Sequence, residues 1–106
     1  MQTNRNERLK DALREVAAEF LVREAGPQSL ITVTRTDLSE DSKRGTIFIT
    51  VLPEEAETEA LNFANRNRSE FSDFFKTRIK GALPPFIEFV IDKGEKNRQR
   101  LDELSQ

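Results

Sequence analysis

The chain has 106 residues, 17 Lys and Arg against 19 Asp and Glu, a net charge of −2, and no His, Cys, Trp or Tyr. The length suits one domain, and the lack of Cys excludes disulfides, thiolate zinc sites, iron–sulfur clusters and cysteine nucleophiles. Without His the chain also lacks the commonest general base and transition-metal ligand, so an enzyme, a metal site and a resident cofactor are not expected, and a nucleic-acid role needs a local basic patch.

Residues 3–24 are predicted to form a helix. Leu9, Leu13, Val16 and Phe20 recur at helical spacing, flanked by Ala12, Ala17 and Leu21. Thr3 or Asn4 can cap its start, and Asn4 with Glu7 resembles a capping box. Gly26-Pro27 should end it, because Gly suits a left-handed cap and Pro cannot continue the ladder. Residues 30–38 read as a strand in which Ile31 and Val33 alternate with Thr32 and Thr34. The polar stretch 39–45 connects it to a second strand, 46–52, with Ile47, Ile49 and Val51 on one face and Phe48, Thr50 and Leu52 on the other. A long antiparallel hairpin is the simplest arrangement.

Pro53, Glu54 and Glu55 signal a helix start. Residues 54–80 then read as one helix, or as two with a break near 65–67, where Asn65-Arg66-Asn67-Arg68-Ser69 follows the last small apolar residue, Ala64. Gly81 is a suitable helix end. After Pro84-Pro85, residues 86–91 are apolar apart from Glu88 and form the last strand. Residues 1–92 are thus read as a single domain and 93–106 as a tail or short helix, since Leu101 and Leu104 are the only large apolar side chains in that segment. The order α-β-β-α-(kink)-α-β gives an α+β fold, a three-stranded sheet with helices packed on one face. No apolar run approaches the ~20 residues of a membrane span, and the N-terminus does not read as a signal or transit segment. A cytoplasmic protein without a membrane partner is expected.

This is the element order of the type II KH-like fold, and the resemblance extends further. Ser29-Leu30-Ile31-Thr32-Val33-Thr34, Asp37-Leu38-Ser39-Glu40-Asp41 and Gly45-Thr46-Ile47-Phe48-Ile49-Thr50-Val51-Leu52 resemble, without a gap, the hairpin pattern of the ribosome-binding factor A family. Pro85, Ile87, Phe89 and Asp92 match its P-x-L-x-F-x-x-D signature, Leu101-Asp102-Glu103-Leu104 echoes a later element, and Arg5, Arg8, Leu9, Val16, Glu19 and Phe20 echo its first helix. There are departures. The family's Ala-x-Gly kink reads Ala64-Asn65-Arg66-Asn67, so Asn67 is expected to supply the left-handed backbone in place of Gly, and Glu40 replaces a Pro in the hairpin connection.

The resemblance implies a non-enzymatic, monomeric assembly factor, important in the cold. It would bind the immature 30S small ribosomal subunit and 16S rRNA, assist late maturation and processing of that RNA, and take no small-molecule substrate. Charge by segment locates a candidate RNA face. Residues 53–61 carry −4, and residues 62–81 carry +3. The candidate RNA-binding residues are therefore Asn65, Arg66, Asn67, Arg68, Lys76, Arg78 and Lys80, with the hairpin residues Lys43 and Arg44 as a second contact. Lys and Arg neutralise phosphates, and the Asn side chains shape the kink. Lys76, Arg78 and Lys80 equally suit the negative end of a helix dipole, Lys43 and Arg44 a solvated loop, and Glu54, Glu55, Glu57 and Glu59 a solvated helix face. Eight Phe look unlike a base-stacking platform. Phe71, Phe74, Phe75 and Phe89 fit core positions, and Phe48 is the one most suited to the outer sheet face, where cover is expected. A KH-like protein–protein interaction module without RNA affinity is the alternative, and the acidic balance favours it.

Overall fold

A computed structural model of the chain describes residues 2–24, 29–80, 84 and 86–105, with the backbone alone for 2–5, 103 and 105. Helix α1 spans Gln2–Glu24, strand β1 Leu30–Leu38 and strand β2 Arg44–Leu52. A 3-10 turn, Glu54–Ala56, leads into α2, Glu57–Arg66, then α3, Arg68–Arg78, strand β3, Phe86–Ile91, and α4, Lys93–Ser105. The sheet order is β1-β2-β3, antiparallel between β1 and β2 and parallel between β2 and β3. This is the expected α+β arrangement.

The core follows from the two periodicities. Leu13, Val16, Ala17, Phe20 and Leu21 share one stripe of α1 and are all buried. They face Ile47, Ile49 and Val51 of β2 and Ile87 and Phe89 of β3, every second residue of each strand. Ala60 and Ala64 of α2 and Phe71 and Phe75 of α3 complete the layer. Phe71 is its centre, with ring centroids 5.6 Å from Phe20, 5.8 Å from Phe89 and 6.1 Å from Phe75. Phe74 is half-buried and lies 5.7 Å from Phe20. The small residue Gly45 allows β2 to pass close to the core: a Cβ there would meet the Ile87 Cδ1 at 3.0 Å and the Leu13 Cδ1 at 3.5 Å.

Several boundaries differ from the sequence expectation. The first helix begins at Gln2, so Thr3 and Asn4 lie inside it and not at its N-cap position. Good helix formers at Arg5, Glu7 and Arg8 extend it toward the N-terminus. Its expected end at Gly26-Pro27, the expected cap Gly81 and the signature residue Pro85 lie outside the described residues. Strand alternation is broken in β1, where the pairing with β2 shifts between Val33 and Arg35. The extra residue, Thr34, makes a β-bulge. The bulge lets Thr36 and Leu38 join Ile31 and Val33 on the helix side, and it turns Arg35 outward, its guanidinium 3.7 Å from the centroid of the Phe48 ring. Phe48 does lie on the outer face; a side chain, not a second layer, covers it.

The C-terminal segment is an ordered helix. Asp92 caps it, its Oδ1 accepting the Glu95 N–H at 3.1 Å. The same carboxylate accepts the Thr34 hydroxyl at 2.6 Å and lies 3.5 Å from the Arg35 Nε. The Thr34 hydrogen bond, the helix N–H and the Arg35 charge together hold the Asp92 carboxyl below the usual carboxylate range despite its burial. Further along, Lys96 Nζ bridges Glu54 at 2.9 Å and Glu57 at 3.1 Å, and Arg100 reaches Glu54 at 2.8 Å. Glu54 and Glu57 are therefore not a freely solvated face. The sequence pattern of 53–61 alone could not reveal partners 39 to 46 residues away.

Candidate nucleic-acid interface

The break between α2 and α3 is a single residue, Asn67. Its φ of −102° and ψ of 24° are not left-handed, which corrects the expectation that Asn stands in for a Gly conformation. Hydrogen bonds replace that requirement. The Asn67 N–H is shared between the carbonyls of Phe63 and Ala64, both at 3.2 Å. Its side-chain Nδ2 donates to the Phe63 carbonyl at 2.8 Å, and its own carbonyl accepts the Phe71 N–H at 2.9 Å. Two of the carbonyls freed by ending α2 and the first intrahelical bond of α3 are thereby made without positive φ.

The neighbouring Asn65 fixes this corner to the sheet. Its Nδ2 donates to the Phe89 carbonyl at 3.1 Å, and its Oδ1 accepts the Phe89 N–H at 3.0 Å. β3 is an edge strand, and the side-chain amide takes the place of a fourth strand at this residue. One turn on, Arg68 Nη1 approaches the Ile87 carbonyl on the same edge at 3.4 Å.

Between this corner and the hairpin lies a groove of about 470 Å³ lined by Arg44, Arg68, Ser69, Ser72, Phe86 and Glu88, among others. β-sheet register explains the grouping. Arg44 pairs with Phe86 and Thr46 with Glu88, so these four side chains leave the same face of neighbouring strands. The hairpin connection is held in place. Asp41 Oδ1 accepts the Ser39 hydroxyl at 2.7 Å and the Lys43 N–H at 3.1 Å, while Ser42 takes the turn at φ 58°. The Lys43 carbonyl accepts the Phe86 N–H at 3.1 Å, which ties the connection to the start of β3.

The nine residues singled out from the sequence thus separate. Arg44 and Arg68, 24 residues apart in the chain, meet at one groove; the exposed Lys43 adjoins Arg44, and the exposed Arg66 lies two residues before Arg68. Lys76 is exposed one turn beyond Ser72, on the same helical stripe. None of these five is ion-paired to a carboxylate among the described residues. Asn65 and Asn67 turn their side chains to backbone partners. Arg78 is committed elsewhere: it forms a forked pair with Glu19 of α1, at 2.8 Å, and lies 4.5 Å from the Phe74 ring. That pair lowers the Glu19 carboxyl. Lys80 is exposed beyond the end of α3, outside the groove lining. The sequence reading missed Phe86, Ser69, Ser72 and Glu88. The phase of β3 was the available signal, since Ile87 and Phe89 inside require Phe86 and Glu88 outside.

Among the described residues, no helix is long and apolar enough to cross a membrane, and no three acidic side chains converge as a metal site requires. The family model for ribosome-binding factor A matches residues 5–105. The chain belongs to the ribosome-binding factor A family. A ribosome-binding factor A from Thermodesulfovibrio yellowstonii is 30% identical over 102 residues, covering 94% of this chain and 86% of its own length. One from Fervidobacterium nodosum is 26% identical, over 91% of this chain and 82% of its own. The fold agrees with the crystal structure of ribosome-binding factor A from Thermus thermophilus, with a TM-score of 0.71 over 81% of this chain and 94% of the other at 23% identity. It agrees also with a homology model of the Thermus thermophilus protein fitted into a cryo-electron microscopy map of its complex with the 30S subunit, with a TM-score of 0.66 over 78% and 90% of the two chains at 24% identity.

Proposed function

We propose that the chain is a non-enzymatic small-subunit assembly factor that binds the 30S subunit, contacts 16S rRNA along the β3 groove, and assists the late maturation of that RNA in the cytoplasm. The observation that carries this reading is the meeting of Arg44 and Arg68 in one groove, neither of them in an ion pair with a carboxylate among the described residues. Guanidiniums outside an ion pair attract phosphates, and their affinity comes from counterion release without reading sequence. Lys43, Arg66 and Lys76 extend the positive rim. Membership of the family supports the ribosomal partner, as does the 30S complex of the Thermus thermophilus relative. The factor works by differential affinity: it favours the rRNA conformation it fits and leaves when maturation removes that conformation.

The test is sedimentation of lysate on a sucrose gradient, followed by titration of purified immature subunits at several salt concentrations. The expected result is enrichment with free small subunits over mature ribosomes and a steep fall of affinity with salt. Binding that is absent or salt-insensitive overturns the RNA reading and leaves a protein–protein module.

A further inference from the structure

Of the eight Phe in the chain, seven are buried or half-buried. The eighth, Phe86, is 64% exposed. It stands at the start of β3, on the wall of the groove. Its strand partner Arg44 holds its guanidinium 5.8 Å from the ring centroid, and Arg68 lines the same groove from α3. We propose that Phe86 is a base-stacking platform, on which one unpaired RNA base lies while Arg44 and Arg68 hold the adjoining phosphates.

Three features of the groove argue for this division of labour. A flat aromatic ring exposed beside guanidiniums that no carboxylate pairs is the combination that binds single strands, because every base has a face to stack and every nucleotide a phosphate to neutralise. Glu88 leaves the same face of β3 two residues on and lines the groove too. Its charge repels a phosphate there, so that end of the groove takes the uncharged part of a nucleotide. And the backbone that carries the ring is anchored: the Phe86 N–H is bonded to the Lys43 carbonyl, and the next residue, Ile87, is buried in the core. A paired base in a duplex has both faces occupied by its neighbours, so the platform selects unpaired RNA. The inference rests on the groove being the RNA-binding surface.

The experiment uses the full chain and a short fluorescein-labelled single-stranded RNA of mixed sequence, its duplex, and a single strand carrying 2-aminopurine. Phe86→Ala is expected to weaken single-strand binding about 5- to 150-fold, the range of one lost stacking contact, with the salt slope unchanged. Phe86→Leu, which keeps apolar bulk, should lose as much; Phe86→Trp should retain binding and the quenching of 2-aminopurine. Because the side chain is exposed, these variants fold. If Phe86→Ala binds as tightly as the parent while Arg44→Ala with Arg68→Ala has lost affinity, the platform is overturned and the phosphate-binding groove stands. If the parent binds neither RNA, both readings fall.

Discussion

The chain carries two groups of basic side chains, and they keep different company. On α4, Lys96, Arg98 and Arg100 each face a carboxylate: Lys96 bridges Glu54 and Glu57, Arg98 lies 3.1 Å from Glu95, and Arg100 reaches Glu54. Around the groove, where Glu88 is the one acidic side chain of the lining, Lys43, Arg44, Arg66, Arg68 and Lys76 form no ion pair among the described residues. A base already paired offers little to an incoming phosphate, because binding must first break or share the pair. An unpaired one offers its full charge. Two of the four acidic charges of residues 53–61, those of Glu54 and Glu57, are therefore met inside the molecule by a helix that docks through charge, while the excess around the groove stays available. Net charge by segment points to both regions; pairing distinguishes what each can bind.

The most disruptive way to break the contrast is at Asn65. Asn65→Leu keeps the bulk but leaves the Phe89 N–H and carbonyl without their partner, and the loss is expected to be about 1–3 kcal/mol by urea denaturation. RNA affinity should fall with it, since the corner that carries Arg66 and Arg68 loosens. A sharper cut is Arg44→Ala with Arg68→Ala. Stability should move by less than about 0.5 kcal/mol per site, and the log–log salt slope for single-stranded RNA should become shallower by about 1.4, two phosphate contacts.

Acid should act on the α4 side. The folded Asp92 carboxyl titrates below its unfolded value, so its contribution to stability is complete above the ordinary carboxylate range and is lost as pH falls through the lowered value. Denaturation midpoints in acid should decline for the parent and less steeply for Asp92→Asn. The smallest effect is expected from Lys96→Ala with Arg100→Ala. Amide exchange in α4 should quicken, while RNA affinity stays within about twofold, because these exposed and half-buried ion pairs hold α4 and never faced the groove. A large loss of affinity there would erase the distinction between the two basic groups.

Elements whose signal is local were legible in the sequence. The stripe of α1, the alternation in β2 and the apolar run of β3 each appear in consecutive residues, and the hairpin spacing carries the family resemblance. The break at 67 was visible as a polar interruption after Ala64. What escaped depends on distant partners. The fixed corner needs the Phe89 backbone opposite Asn65; the docked α4 needs Glu54 opposite Lys96 and Arg100; the groove needs register to bring Arg44 beside Phe86. The bulge at Thr34 did leave a trace: Ile31 and Val33 are odd-numbered and Leu38 even, so all three can face the core only if one residue is inserted between them.

The hold of Asn65 on β3 has one more consequence, for the behaviour of many molecules together. An edge strand with free amides and carbonyls invites the corresponding strand of another copy, and a growing chain at high local concentration meets that hazard before it meets its target. Here a side-chain amide already occupies both hydrogen-bonding groups of Phe89, at the middle of the six-residue strand. Strand addition from outside has to displace an intramolecular partner, so the protection against edge-to-edge association is built into the same turn that presents the basic corner.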